Sequence, residues 1–169
     1  MCSSDLRFYL HDGIDGVGIA RAMVRNLREG SVEEGASTIT QQLARTVFLD
    51  QDRTLWRKLK EAALAGKIER QLSKSQILEQ YLNFVYLGSG AYGVADAAWV
   101  YFSKTPNQLT LPEVALIAGL PPAPSVYSPL INPDLALKRR AIVLRRMREA
   151  GFIDDAQRDR ALAAPLDRK

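Results

Sequence analysis

G-A-S-T-I-T-Q-Q-L-A-R at 35–45, R-K-L-K-E at 57–61 and Y-L-N-F-V-Y-L-G at 81–88 decide the fold of this chain. In the first segment Ser37 or Thr38 suits a helix N-cap, because a side-chain hydroxyl can accept from the open backbone N–H groups of the first turn. Ile39, Leu43 and Val47 then recur at helical spacing. Around the second segment, Thr54 can cap a long helix running to about Leu72. Leu55, Leu59, Ala62, Ala63, Gly66 and Ile68 are expected on its buried side. The small residues Ala62, Ala63, Ala65 and Gly66 predict close approach of another helix. Ser73, with Gln76 three residues later, is a capping-box pair for a helix carrying Ile77, Leu78, Tyr81 and Leu82. Gly88-Ser89-Gly90 breaks that helix.

Outward from this centre the chain reads as helix after helix. Val17, Ala20, Val24 and Leu27 lie at helical spacing, with Gly30 as the stop. Residues 30–36 form a polar loop, and 49–53 a polar connector. Residues 93–103 predict a short, largely buried helix. Thr110 with Glu113 repeats the capping-box pattern for a helix to about Ala118. G-L-P-P-A-P-S-V-Y-S-P at 119–129 is a Pro-rich connector that cannot be helical throughout. Asn132-Pro133 supplies an N-cap and a first-turn proline for a helix ending at Gly151, and 154–164 predict a last short helix. No alternating strand pattern is present, so the fold class is all-α, with roughly eight helices.

The 169 residues suffice for one domain with its own core. Apolar residues make up 47% and charged residues 25%, which is globular composition. A net charge of +4 favours anionic partners only mildly. One cysteine, Cys2, excludes an internal disulfide, and one histidine, His11, argues against a zinc site. No apolar run is long enough to span a bilayer, and no signal peptide is visible. Residues 1–6, M-C-S-S-D-L, join the following segment abruptly and read as a non-native remnant, with the domain proper at 7–169.

The candidate chemistry sits on the 54–72 helix. Arg57 and Glu61 are four apart and share a face, and Lys58 lies about 100° round from Arg57. Such a spacing alone describes a surface ion pair worth a few tenths of a kcal/mol. The company is what changes its meaning. Gln41, Gln42 and Arg45 precede it by one helix, and Arg53 stands in the connector. Guanidinium groups bind phosphate oxygens bidentately, so this density of cations suits a pyrophosphate leaving group.

These segments resemble the signatures of family 51 glycosyltransferases, the peptidoglycan-polymerising domains of class A penicillin-binding proteins and their monofunctional relatives. Residues 35–45 resemble G-x-S-T-I-x-x-Q-L, and 57–61 resemble R-K-x-x-E. K-S-Q-I-L-E-Q-Y-L-N at 74–83 resembles K-x-x-I-L-x-x-Y-L-N, and R-R-A-I-V-L at 139–144 resembles R-R-x-x-V-L. The order of the four motifs agrees, and they cover nearly all of residues 7–151.

The resemblance implies a lysozyme-like helical fold and a lipid II substrate. It also implies action at the outer face of the bacterial cytoplasmic membrane, on lipid II and a growing glycan strand. A C-terminal transpeptidase domain in the parent and a divalent cation, Mg or Mn, on the substrate pyrophosphate are further expectations of the same kind. Glu61 matches the second catalytic carboxylate. Ser37, Thr38, Gln42, Arg45, Arg53, Arg57, Lys58 and Asn83 match substrate-binding positions, with Asn83 equally open to a capping role. Arg45-Thr46 stands where Lys-Asn is frequent. Arg139 and Arg140 are expected to support the fold. His11 is expected to be a structural partner rather than a proton shuttle, and Trp56 and Trp99 to be core or membrane-interface aromatics.

One position departs from the pattern. The family's first motif, E-D-x-x-F-x-x-H-x-G, aligns with S-D-L-R-F-Y-L-H-D-G at 4–13, which puts Ser4 where the general-base Glu belongs. A hydroxyl lacks the basicity to take a proton from a sugar hydroxyl at neutral pH, so this chain is expected to be impaired. Two rival functions stand beside the transferase. A lysozyme-like lytic glycosidase would share the carboxylate logic without needing the cations. A non-catalytic module would bind lipid II or another anion without turnover. A nucleic-acid role lacks any helix-turn-helix or aromatic–basic pattern.

Overall fold

The computed structural model describes residues 7–29, 37–48 and 55–166. Ser4, Asp5 and Arg53 therefore lie outside the described residues. The chain packs as two compact units, Met1–Val85 and Tyr86–Lys169, although no linker separates them in sequence.

In the first unit a short 3-10 turn, Phe8–Leu10, leads into α1 (Gly16–Glu29), α2 (Ile39–Phe48), α3 (Leu55–Gln71) and α4 (Lys74–Phe84). Asp15 opens α1: its carbonyl accepts from Ile19 N at 2.9 Å, and its buried carboxyl sits beside the Gly18 N–H. Thr38 opens α2 through a reciprocal cap, its Oγ1 accepting from Gln41 N while Gln41 Oε1 accepts from Thr38 N, both at 3.1 Å. Ser73 and Gln76 form the expected capping box on α4. α2 packs on both α3 and α4, around Leu43, Ala44, Ala65, Ile77 and Tyr81.

α3 turns a different face inward from the one its apolar residues predict. Leu59 is 63% exposed, and Ala63 is exposed too. The inward line is Glu61 and Ala65, four residues apart and both 0% exposed. Ala65 is the small residue that permits the close approach, with Gly13 packed against its backbone.

In the second unit an isolated antiparallel bridge, Tyr86↔Tyr92, frames the Gly88–Gly90 turn. It is followed by α5 (Gly93–Phe102), a 3-10 turn (Pro106–Gln108), α6 (Leu111–Ala118), α7 (Pro124–Tyr127), α8 (Pro133–Glu149) and α9 (Asp155–Ala163). No strand occurs among the described residues, and the architecture is all-α. α7 is one helical turn inside the Pro-rich connector, with Pro124 at its start, where a missing N–H costs nothing. Asn132 does not cap α8 with its side chain; its amide donates to Val126 O at 3.0 Å instead. Tyr101, Leu116, Leu120 and Leu144 are fully buried. Ala115, Leu144 and Ala161 join α6, α8 and α9.

Arg139 and Arg140 do support the fold. Arg139 Nε donates to Gly119 O at 3.3 Å, just past α6, and its guanidinium lies 5.3 Å from the centre of the Tyr127 ring. Arg140, 4% exposed, donates to Leu162 O at 3.1 Å and Ala164 O at 2.8 Å, sealing the carbonyl end of α9. Burial lowers the Arg140 pKa from its ordinary value. Trp56 and Trp99 are each 66% exposed, so neither is a core residue.

Candidate active site

Glu61 is the centre of the candidate site, and what surrounds it is basic. Its carboxylate is fully buried, on the face of α3 turned toward the protein. Lys58 Nζ meets Oε2 at 2.8 Å, and Arg57 Nε lies 3.2 Å from Oε1. The Lys58 contact is a hydrogen bond. The Arg57 contact is an ion pair. A buried carboxylate flanked by two cations is held in one place, since removing either cation would leave charge uncompensated in a poor solvent for it.

Lys58 links this cluster to the start of α2. Its Nζ also donates to Ser37 Oγ at 2.6 Å. An ammonium has three N–H donors. Among the described residues Ser37 and Glu61 take two of them, and the side chain is 49% exposed. The arrangement thus offers one strong donor beside a fixed carboxylate at a helix N-terminus, where the backbone adds its own preference for anions.

The other sequence-derived residues take distinct places. Gln42 follows one turn on, with Nε2 donating to Ser37 O at 3.3 Å and Oε1 accepting from Tyr81 OH at 3.2 Å. Thr38 is buried, and its hydroxyl donates to Gly13 O at 2.7 Å, so it serves the frame of the site from within. Arg45 is partly exposed, three residues beyond Gln42 and on the same helical face. Asn83, near the end of α4, is exposed. Tyr81 and Gly13, motif positions to which sequence reasoning assigns no role, frame the site. The positive φ of +90° at Gly13 is the physical signal that a glycine is needed there.

Among the described residues no group of three His, Cys, Asp or Glu side chains could hold a metal ion. The donor chemistry of the site agrees: both Glu61 oxygens already face cations, so the protein residues here do not fit a resident divalent ion. A cavity of about 250 Å³ lies in the second unit between Phe102, Lys104, Glu113, Leu116 and Arg140, and contains none of the candidate site residues.

Comparison with known proteins bears on this geometry. A family model described as transglycosylase matches residues 1–148. Penicillin-binding protein 1A of Escherichia coli K12 is 55% identical over 159 residues, 94% of this chain and 19% of that protein. Penicillin-binding protein 1A of Neisseria flavescens is 51% identical over 166 residues, 98% of this chain and 21% of that protein. A Cupriavidus necator protein that bears the name transglycosylase is 52% identical over 162 residues, covering 96% of this chain and 70% of its own length. The crystal structure of penicillin-binding protein 1A from Haemophilus influenzae superposes with a TM-score of 0.55 at 34% identity, over 78% of this chain and 16% of that one. The all-α, lysozyme-like fold class holds by this likeness. The chain spans about a fifth of the length of the penicillin-binding protein 1A relatives. With a family match across nearly the whole chain and a relative more than half identical along most of its own length, this chain belongs to the transglycosylase family.

Proposed function

We propose that this domain is built to polymerise lipid II into glycan strands with release of undecaprenyl pyrophosphate. The observation that carries the reading is the fully buried Glu61 held between Arg57 and Lys58, with Lys58 reaching Ser37 at the start of α2. In the proposed reaction a general base takes the proton from the acceptor sugar's hydroxyl. The oxygen attacks the donor's anomeric carbon with inversion, and the bond from that carbon to the pyrophosphate oxygen breaks. The departing electrons leave negative charge on the pyrophosphate, which Lys58, Arg57, Arg45 and Arg53 neutralise. Ser37, Gln42 and Asn83 offer hydrogen bonds to sugar or phosphate oxygens, and Thr38 acts from behind them. Glu61 fixes the cations and orients the substrate. A divalent cation, Mg or Mn, bound with the substrate pyrophosphate would add to that neutralisation.

Ser4 cannot serve as the base, so the chain as it stands is proposed to be impaired. No described helix is long and apolar enough to cross a membrane. This domain is proposed to act at the outer face of the cytoplasmic membrane. A C-terminal transpeptidase domain in a longer parent belongs to the same proposal. The lytic alternative would need no cation around its carboxylate, and two surround this one.

The test is lipid II polymerisation by the chain, by Ser4→Glu, and by Ser4→Glu with Glu61→Gln. Glycan strands are expected only from the second. Efficient polymerisation by the unaltered chain would remove the assignment of the base. A folded Ser4→Glu protein that releases soluble muropeptides from cell wall but forms no strands would replace the transferase with the hydrolase.

A further inference from the structure

Eight residues beyond Glu61 on α3, about 12 Å along the helix axis by its rise, a second buried carboxylate gathers a network unlike the first. Glu69 Oε1 accepts from Thr40 Oγ1 on α2 at 2.5 Å and from Lys74 Nζ at the start of α4 at 2.8 Å. The same ammonium donates to the backbone carbonyl of His11 and lies 4.5 Å from the centre of the Phe8 ring. Two residues on, Gly13 O accepts from Thr38 Oγ1 at 2.7 Å. Gly13 adopts a φ of +90°, and a Cβ there would stand 3.2 Å from both the Ala65 backbone and Glu69 Cγ. The segment from Phe8 to Gly13 is thus strapped down at its ring, at one carbonyl and at a second carbonyl, by groups from three helices. Glu69 is 5% exposed at its side chain and Lys74 21%. The pair therefore does what a surface ion pair cannot: it fixes a backbone position with charge-assisted hydrogen bonds in a largely dry setting.

We propose that Lys74 and Glu69 are positioning residues: Glu69 holds the Lys74 ammonium on the His11 carbonyl, and the Phe8–Gly13 strap, part of the stretch that aligns with the family's first motif, is thereby held against the helix that carries Glu61. The positioning role rests on the transferase reading above; the strap itself does not. Neither residue touches substrate in this account. Their effect passes through backbone geometry, where an ångström of misplacement is enough to cost orders of magnitude in rate.

Two measurements on the same variants separate these claims. Amide hydrogen exchange is read on the unaltered chain, Lys74→Met, Lys74→Arg and Glu69→Gln. Exchange at residues 8–13 is expected to rise at least tenfold in Lys74→Met, with α3 and α4 amides within twofold of the parent, and to fall back in Lys74→Arg. Unchanged exchange at 8–13, or a rise spread evenly over α2, α3 and α4, overturns the strap. If Lys74→Met does not fold, Glu69→Gln carries the same test, since it keeps the side chain's shape and loses its charge. Lipid II polymerisation is then read in the Ser4→Glu background. There kcat is expected to fall at least tenfold in Lys74→Met with KM within threefold, and Lys74→Arg to recover most of it. A loosened strap with unchanged kcat overturns the positioning role. A folded Ser4→Glu protein that is inactive, with exchange at 8–13 intact, overturns the transferase reading and the positioning role together while leaving the strap in place.

Discussion

Replacing Arg57 with Met keeps most of the side chain's length and removes its charge. Glu61 then remains fully buried with one cation instead of two. Breaking a buried pair by removing one partner costs on the order of 3–5 kcal/mol. Here the loss is smaller, because Lys58 still holds Oε2 at 2.8 Å. That remaining ion pair is half exposed and screened by water, so about half the full penalty is expected, roughly 2 kcal/mol. In a chain of this size each kcal/mol moves Tm by about 2–4 °C, so Arg57→Met should melt about 4–8 °C lower. The second arm is Arg57→Met with Glu61→Met. An apolar pair in place of a buried ion pair is commonly neutral or stabilising, so the double variant should recover to within about 1 kcal/mol of the parent. Urea denaturation followed by circular dichroism gives all the corners of the cycle once Glu61→Met is added. A loss below about 0.5 kcal/mol in Arg57→Met, or a double variant no more stable than the single one, would refute the account of Glu61 as a charge kept buried at a cost. The double variant should also bind no lipid II, since it gives up the cation and the carboxylate together.

Three further outcomes follow from the described geometry. The Gly18 N–H beside the Asp15 carboxyl, aided by Arg7, holds its pKa below the ordinary 3.8; the resulting stability is whole above that value and drains away as pH falls through the folded pKa. Asp15→Asn should therefore unfold more readily than the parent at pH 6, and the gap should close in acid titration by urea denaturation. Arg140→Met leaves the Leu162 and Ala164 carbonyls without their donor; about 2 kcal/mol of lost stability is expected, with amide exchange rising first in α9. Gly88→Ala meets a φ of +88° and places a Cβ 2.6 Å from Pro124 O and 2.9 Å from Tyr101 OH; a loss of roughly 2–4 kcal/mol is expected from strain and overpacking, and a thermal melt within 2 °C of the parent would contradict it.

Helix starts were legible because their chemistry is local. Ser73 with Gln76 and Thr110 with Glu113 cap as their spacing predicts, since three residues contain the whole interaction. The inward face of α3 was not legible from apolar spacing. Leu59 faces out and Glu61 faces in, because a cluster of charges dominates over hydrophobic periodicity there, as happens where function sets the residue. Asn132 looked like a cap, yet a carbonyl six residues back claims its amide. The one-turn α7 was hidden among prolines that forbid a longer helix. Lys58 and Glu61 could be paired from sequence, but the reach of Lys58 to Ser37, twenty-one residues earlier, depends on how α2 and α3 cross. Glu69 and Lys74 carried weaker signals: a lone acid on the half-buried side of α3, and a lysine at the first position of α4. Their meeting over the His11 carbonyl is a tertiary fact.

Arg140 lies within the stretch that the transglycosylase family model matches, which stops at 148, while the two carbonyls it grips, Leu162 and Ala164, come after that point. The border of the family model and the border of mechanical integrity are therefore different places. Excision at the first would leave that guanidinium without the two carbonyls it grips. Anyone trimming this protein for crystallisation or display has to carry the chain through residue 164, for the sake of an arginine twenty-four positions upstream.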